Sequence, residues 1–121
     1  NNKSMNLFLI GLGGSLGAIL RYLINDFFIK FIPTEYPIGI LSINVIGCFF
    51  IGYYLGNNLM VRDGQYYLFV IGFLGSFTTM SAFTHQTINM LNNNILIASS
   101  YIIATIVLTI AATYFGANIT R

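Results

Sequence analysis

A chain of 121 residues has room for one domain, and its composition excludes an ordinary soluble one: 56% of the residues are hydrophobic and 7% charged, where globular proteins carry about 25% charged residues. The net charge of +2 is too small and too scattered for nucleic-acid binding. The single cysteine, Cys48, excludes an internal disulfide and a zinc cluster.

A hydrocarbon core of about 30 Å takes roughly 20 apolar residues in a helix, and four segments have that length. The first predicted span, 5–28, has no small-residue cleavage site before Arg21, so it reads as a membrane helix rather than a leader. Gly11, Gly13, Gly14 and Gly17 give it the small residues that close helix–helix approach uses. Arg21 is the only charge deep in a span. It either snorkels to the interface or supplies a fixed positive charge to an anion vestibule. A charged, proline-bearing turn of Lys30, Pro33, Thr34, Glu35 and Pro37 follows.

The second predicted span, 38–59, carries Asn44 near its middle, with Gly47, Gly52 and Gly56 after it. An intramembrane asparagine either bonds a neighbouring helix or offers its N–H groups to an anion. Arg62, Asp63 and Gly64 make the next turn.

The third predicted span, 66–91, is longer than a crossing requires and reads Gly72-Phe73-Leu74-Gly75-Ser76-Phe77-Thr78-Thr79-Met80-Ser81-Ala82-Phe83-Thr84-His85-Gln86. Glycines and hydroxyls crowded at mid-membrane depth predict a break in the helix. Non-helical backbone there is tolerated only when buried in protein or lining a water-filled cavity. Carbonyls freed at a break can hold a small cation, while helix N-termini favour anions. His85 stands alone, and nothing beside it completes a metal site.

Asn92, Asn93 and Asn94 make a tight hairpin before the last predicted span, 95–118. In that span Tyr101, Thr105, Thr109 and Thr113 recur every four residues, on one helical face. They are either packing glue or a ladder of donors for a dehydrating anion.

The reading is therefore an all-α membrane protein, one four-helix domain over 1–121, with antiparallel neighbours joined by short turns. Lys3, Arg62 and Arg121 on one side against Lys30 on the other give a slight positive-inside bias, weak enough to permit insertion both ways up. Asp26, Glu35 and Asp63 all lie at span ends or in turns. That argues against a small proton-coupled multidrug exporter, which requires a membrane-embedded carboxylate. No nucleophile–base pair or cofactor motif is present, so no enzyme is expected.

Three stretches resemble a known family. Gly13-Gly14-Ser15-Leu16-Gly17-Ala18-Ile19-Leu20-Arg21-Tyr22 is similar to the first-helix motif of the Fluc (CrcB) fluoride channels. Ile43-Asn44-Val45-Ile46-Gly47 resembles their second-helix asparagine motif, and Gly72 to Phe83 resembles their third-helix break. The resemblance covers nearly the whole chain.

It implies passive, selective fluoride export across the bacterial cell membrane by a dual-topology homodimer with two pores. It also implies a structural sodium ion at the dimer interface, held by main-chain carbonyls of Gly75 and Thr78. The family's pore phenylalanines fall on Met80 and Phe83, its pore asparagine on Asn44, and its last-helix polar track on Thr105, Thr109 and Thr113; Ser81 lies among them. The chain departs from the family at Met80, where phenylalanine is usual, at Ala82 in place of a hydroxyl residue, and at Gln86, where many members have glutamate. Met80 leaves open a heterodimer with a paralogue as the working unit. A structural subunit of a larger membrane complex is a further alternative.

Overall fold

The computed structural model describes residues 2–32, 34, 36–56 and 63–119. Pro33, Glu35, Arg62, Arg121 and the expected end of the second span at Leu59 lie outside the described residues. Helix α1 spans Asn2–Phe31 and α2 spans Ile38–Leu55. Helix α3 comprises a segment of wide π-type turns, Tyr66–Leu74, and one further α-helical turn, Gly75–Phe77. Helix α4 spans Met80–Asn93 and α5 spans Ile95–Ile119. Together these make four lengths long and apolar enough to cross a bilayer, the third being α3 and α4 in series. The protein is a multi-pass membrane protein.

The ends of the helices follow from local chemistry. Pro37 precedes α2, where a missing amide goes unmissed. Gly56 ends α2 with φ 52°, a conformation that other residues rarely adopt, and its N–H returns to the Gly52 carbonyl at 2.7 Å. Gly56 is thus a stop, whereas its spacing from Gly52 suggests a packing residue. Asn94 serves two helices at once. Its N–H closes α4 on the Met90 carbonyl at 2.7 Å, and its Oδ1 accepts from Leu96 N at 2.9 Å to open α5.

Helix α1 lies mainly against α3, and α2 mainly against α5. Glycines set both crossings. A Cβ on Gly13 or Gly17 would run into the backbone of α3 at Leu68 and Phe73, and one on Gly52 into the α5 backbone at Thr113. Gly116 of α5 meets α2 at Phe49 in the same way. Phe8, Leu16, Leu23, Ile103, Val107 and Ile110 are exposed, apolar faces that lipid or another membrane helix covers.

The predicted break falls at Thr78 and Thr79, which have extended backbones (φ/ψ −78°/155° and −147°/119°). Each threonine closes one side of it. Thr78 brings both its N–H (3.1 Å) and its Oγ1 (3.0 Å) to the Leu74 carbonyl, ending α3. Thr79 Oγ1 accepts from Ala82 N at 3.2 Å and so caps the N-terminus of α4. The π-type turns of α3, marked by a Gly75 N–H that reaches back to the Val70 carbonyl, have no counterpart in the sequence reading.

Candidate functional site

A groove of about 270 Å³ opens beside the break, between α2, α4 and α5. Asn44 and Cys48 line it from α2, Thr78 and Thr79 from the break, and Met80 and Phe83 from α4; Thr105, Ile106 and Thr109 complete it from α5. Three stretches distant in sequence therefore meet at one place, and six residues anticipated from the sequence are among the lining: Asn44, Thr78, Met80, Phe83, Thr105 and Thr109. Ser81, Thr113, Gly75 and Arg21 lie outside that lining.

Asn44 is buried, 8% exposed, and its amide is engaged twice by the same residue. Thr79 N–H donates to Asn44 Oδ1 at 2.9 Å, and Asn44 Nδ2 donates to the Thr79 carbonyl at 3.2 Å. An amide that the break deprives of its helical partner is thereby satisfied within the protein. Of the two roles the sequence allowed Asn44, the bond to a neighbouring helix is present. One Nδ2 hydrogen is left over by this pairing.

The pairing has a further effect on the carbonyls. In an uninterrupted helix the Gly75 carbonyl would accept from the Thr79 amide, which Asn44 now takes. The Thr78 carbonyl would accept from the Ala82 amide, which the Thr79 hydroxyl now takes. The carbonyls of Gly75 and Thr78 are thus among those at the break that lose their ordinary donors, as are those of Ser76 and Phe77 at the end of α3. Backbone oxygens of this kind are suitable ligands for a hard cation. Among the described residues no three His, Cys, Asp or Glu side chains cluster, so side chains offer no alternative cation site of that type.

The hydroxyl stripe of α5 is not uniform. Thr109 Oγ1 donates to the Thr105 carbonyl at 2.6 Å and Thr113 Oγ1 to the Thr109 carbonyl at 3.0 Å. The buried Thr105 and Tyr101 hydroxyls lie near one another, and neither makes a well-formed hydrogen bond. A poorly satisfied buried hydroxyl costs free energy, and Thr105 sits in the wall of the groove. Tyr101, 0% exposed, packs its ring on Phe83 at 5.2 Å between centroids and edge-on to Tyr36 at 5.5 Å. Phe83 is thus held in place by an aromatic neighbour from α5. Met80 is 71% exposed at the start of α4, where it lines the groove.

Ser81 lies next to the break, its hydroxyl 3.3 Å from that of Thr79. Arg21, outside the groove lining, donates its Nε–H to the Ser76 carbonyl at 3.0 Å. The sequence reading named Cys48 and Thr79 without giving either a place in the site. Cys48 is one helical turn beyond Asn44 and so shares its face, a signal that the spacing carries. Thr79 could have been read as an N-cap, since a threonine ahead of a helical run is a start signal.

The family described as CrcB-like protein, Camphor Resistance (CrcB), matches residues 8–117. The fluoride-specific ion channel FluC of Haemophilus ducreyi is 41% identical over 111 residues, covering 88% of this chain and 87% of the relative. That of Campylobacter fetus subsp. fetus is 40% identical over 114 residues, covering 91% and 89%. That of Rhizobium etli is 34% identical over 118 residues, covering 94% of each. With the family match spanning all four membrane helices, this chain belongs to the CrcB-like family.

Proposed function

We propose that this protein is a fluoride-selective channel through which fluoride leaves the cytoplasm passively, down its electrochemical gradient. The observation that carries the reading is the groove beside the break. There Asn44, Thr105 and Phe83 line the same space, and the pairing with Thr79 leaves one Asn44 Nδ2 hydrogen over. Fluoride is strongly hydrated, and a narrow path must replace its water with donors and electropositive ring edges. The relatives bearing the name fluoride-specific ion channel support the same reading. Both described aspartates stand away from mid-membrane: Asp26 pairs with Lys30 at 3.1 Å near the end of α1, and Asp63 Oδ1 accepts from Tyr66 N at 3.0 Å ahead of α3. This placement disfavours proton-coupled cation export.

The working unit in this reading is a homodimer of two antiparallel copies. The exposed Met80 and the open groove give the second copy a surface to complete. Gly75 and Thr78 of each copy would then hold a structural sodium ion between the subunits by their carbonyl oxygens. When bound there, sodium supplies a positive charge that offsets part of the cost of an anion in a low dielectric. Asn44, Ser81, Met80, Phe83, Thr105, Thr109 and Thr113 form the fluoride path, and hydrogen bonds rather than full charges do the selecting.

The test is fluoride efflux from liposomes that hold only this purified chain, followed with a fluoride electrode and with chloride release as control. Rapid fluoride release without chloride leak supports a self-sufficient channel. A well-folded protein that releases no fluoride overturns the self-sufficient channel, and release restored by co-reconstituted paralogue would make the unit a heterodimer.

A further inference from the structure

Gly13, Gly17 and Arg21 recur every four residues along one face of α1. The two glycines lie directly on the backbone of α3, at Leu68, Phe73 and Phe77. Arg21 comes one turn later, at the level where α3 stops, and donates its Nε–H to the Ser76 carbonyl at 3.0 Å. The contact face of α1 is therefore smooth along α3 and carries a guanidinium where α3 ends. Ser76 is two residues before the extended pair Thr78–Thr79, and Asn44 of α2 grips Thr79 on the far side.

We propose that Arg21 is a positioning residue: its Nε–H holds the Ser76 carbonyl and fixes the α3 side of the break, as Asn44 fixes the α4 side. The physical grounds are local. Ser76 is among the last four residues of α3, whose carbonyls lack helical donors, and the negative end of a helix dipole favours a cation beside it. In hydrocarbon no water is at hand to satisfy such a carbonyl. Arginine acts here through a planar, directed N–H rather than through its charge alone, a property that lysine lacks. A vestibule charge, in contrast, acts through its field and is screened by salt.

The proposal rests on the channel reading for its flux measurement, and on the fold alone for its spectroscopic one. The first experiment is NMR hydrogen exchange of the Arg21 Nε–H in the wild-type protein, in bicelles. Exchange slowed about tenfold or more against free arginine is expected for a hydrogen bond inside the fold. Exchange at the free rate overturns the proposal. The second is fluoride efflux from liposomes holding Arg21→Lys or Arg21→Gln, at low and high salt. Both variants are expected to lose flux alike, by about tenfold or more, and equally at both salt concentrations. Wild-type flux in Arg21→Lys, or a defect of Arg21→Gln that shrinks at high salt, overturns the proposal in favour of a vestibule charge. If a variant does not fold, the wild-type exchange rate decides. A wild-type protein that releases no fluoride refutes the self-sufficient channel and leaves the exchange result standing.

Discussion

The side-chain amide of Asn44 and the backbone of Thr79 form a reciprocal pair, N–H to Oδ1 at 2.9 Å and Nδ2–H to carbonyl at 3.2 Å. An interhelical contact at a single residue thereby replaces the helical bond that the break costs the Thr79 amide. It also diverts the amide that would otherwise serve the Gly75 carbonyl. Local backbone chemistry at the break and the shape of the groove are thus set by the same side chain.

Asn44→Ala is expected to leave the Thr79 amide unpaired, at a cost of about 1–3 kcal/mol. A lower midpoint of thermal unfolding in detergent, together with lost flux, is the expected outcome. Asn44→Asp keeps an acceptor for the Thr79 N–H but turns an oxygen towards the Thr79 carbonyl and adds a negative charge to an anion path. It should abolish fluoride efflux even where the folded protein is recovered. Wild-type efflux from Asn44→Asp would remove this residue from the path.

Much of this arrangement is legible in the residue order. The four spans follow from apolar length, and the break follows from hydroxyls and glycines gathered at mid-membrane depth. The α5 stripe follows from spacing by four. What spacing could not reveal is which groups are already engaged. Thr105, Thr109 and Thr113 look equivalent in sequence, yet two of the three hydroxyls bond back to the preceding turn and one does not. Arg21 likewise reads as a free charge until the end of α3 is placed against it, a matter of tertiary packing. The π-type turns of α3 have no residue signature at all.

Phe83 touches Tyr101 with centroids 5.2 Å apart, so its ring is positioned by α5 while lining the groove. Phe83→Ile removes the ring edge but keeps an apolar side chain of moderate size, and such exchanges in a core usually cost little stability. Efflux should fall to background while the elution volume of the protein stays unchanged. Unaltered flux would show that the ring is packing only.

The glycine crossings predict a contrast within one chain. Gly52→Ala and Gly116→Ala each place a methyl group against the backbone of the facing helix, where no side chain can move aside. Overpacking of this kind costs about 1–3 kcal/mol, and both variants should yield less folded protein and unfold at lower temperature. Gly11→Ala, which meets nothing within 4 Å, should match or slightly exceed wild-type stability, since alanine is the better helix former. Equal melting of all three would mean that α2 and α5 are further apart than the structure places them.

The last prediction separates a hydroxyl that binds from one that only supports. Thr105 Oγ1 is buried without a well-formed hydrogen bond, and its residue lines the groove, so Thr105→Val removes a poorly satisfied polar atom at nearly constant shape. Such a replacement is neutral or stabilising for the fold, yet in the channel reading it deletes a donor to the permeating anion. Thr105→Val should therefore melt at or above the wild-type temperature while its fluoride efflux falls by about tenfold, the barrier change expected for one lost hydrogen bond of about 1.5 kcal/mol. Thr109 Oγ1 is already committed to the Thr105 carbonyl at 2.6 Å, so Thr109→Val should cost less flux than Thr105→Val. Melting curves and efflux measured on the same preparations check both halves. A Thr105→Val protein that is destabilised but conducts normally would make this hydroxyl a structural group whose partner forms only in the assembled protein.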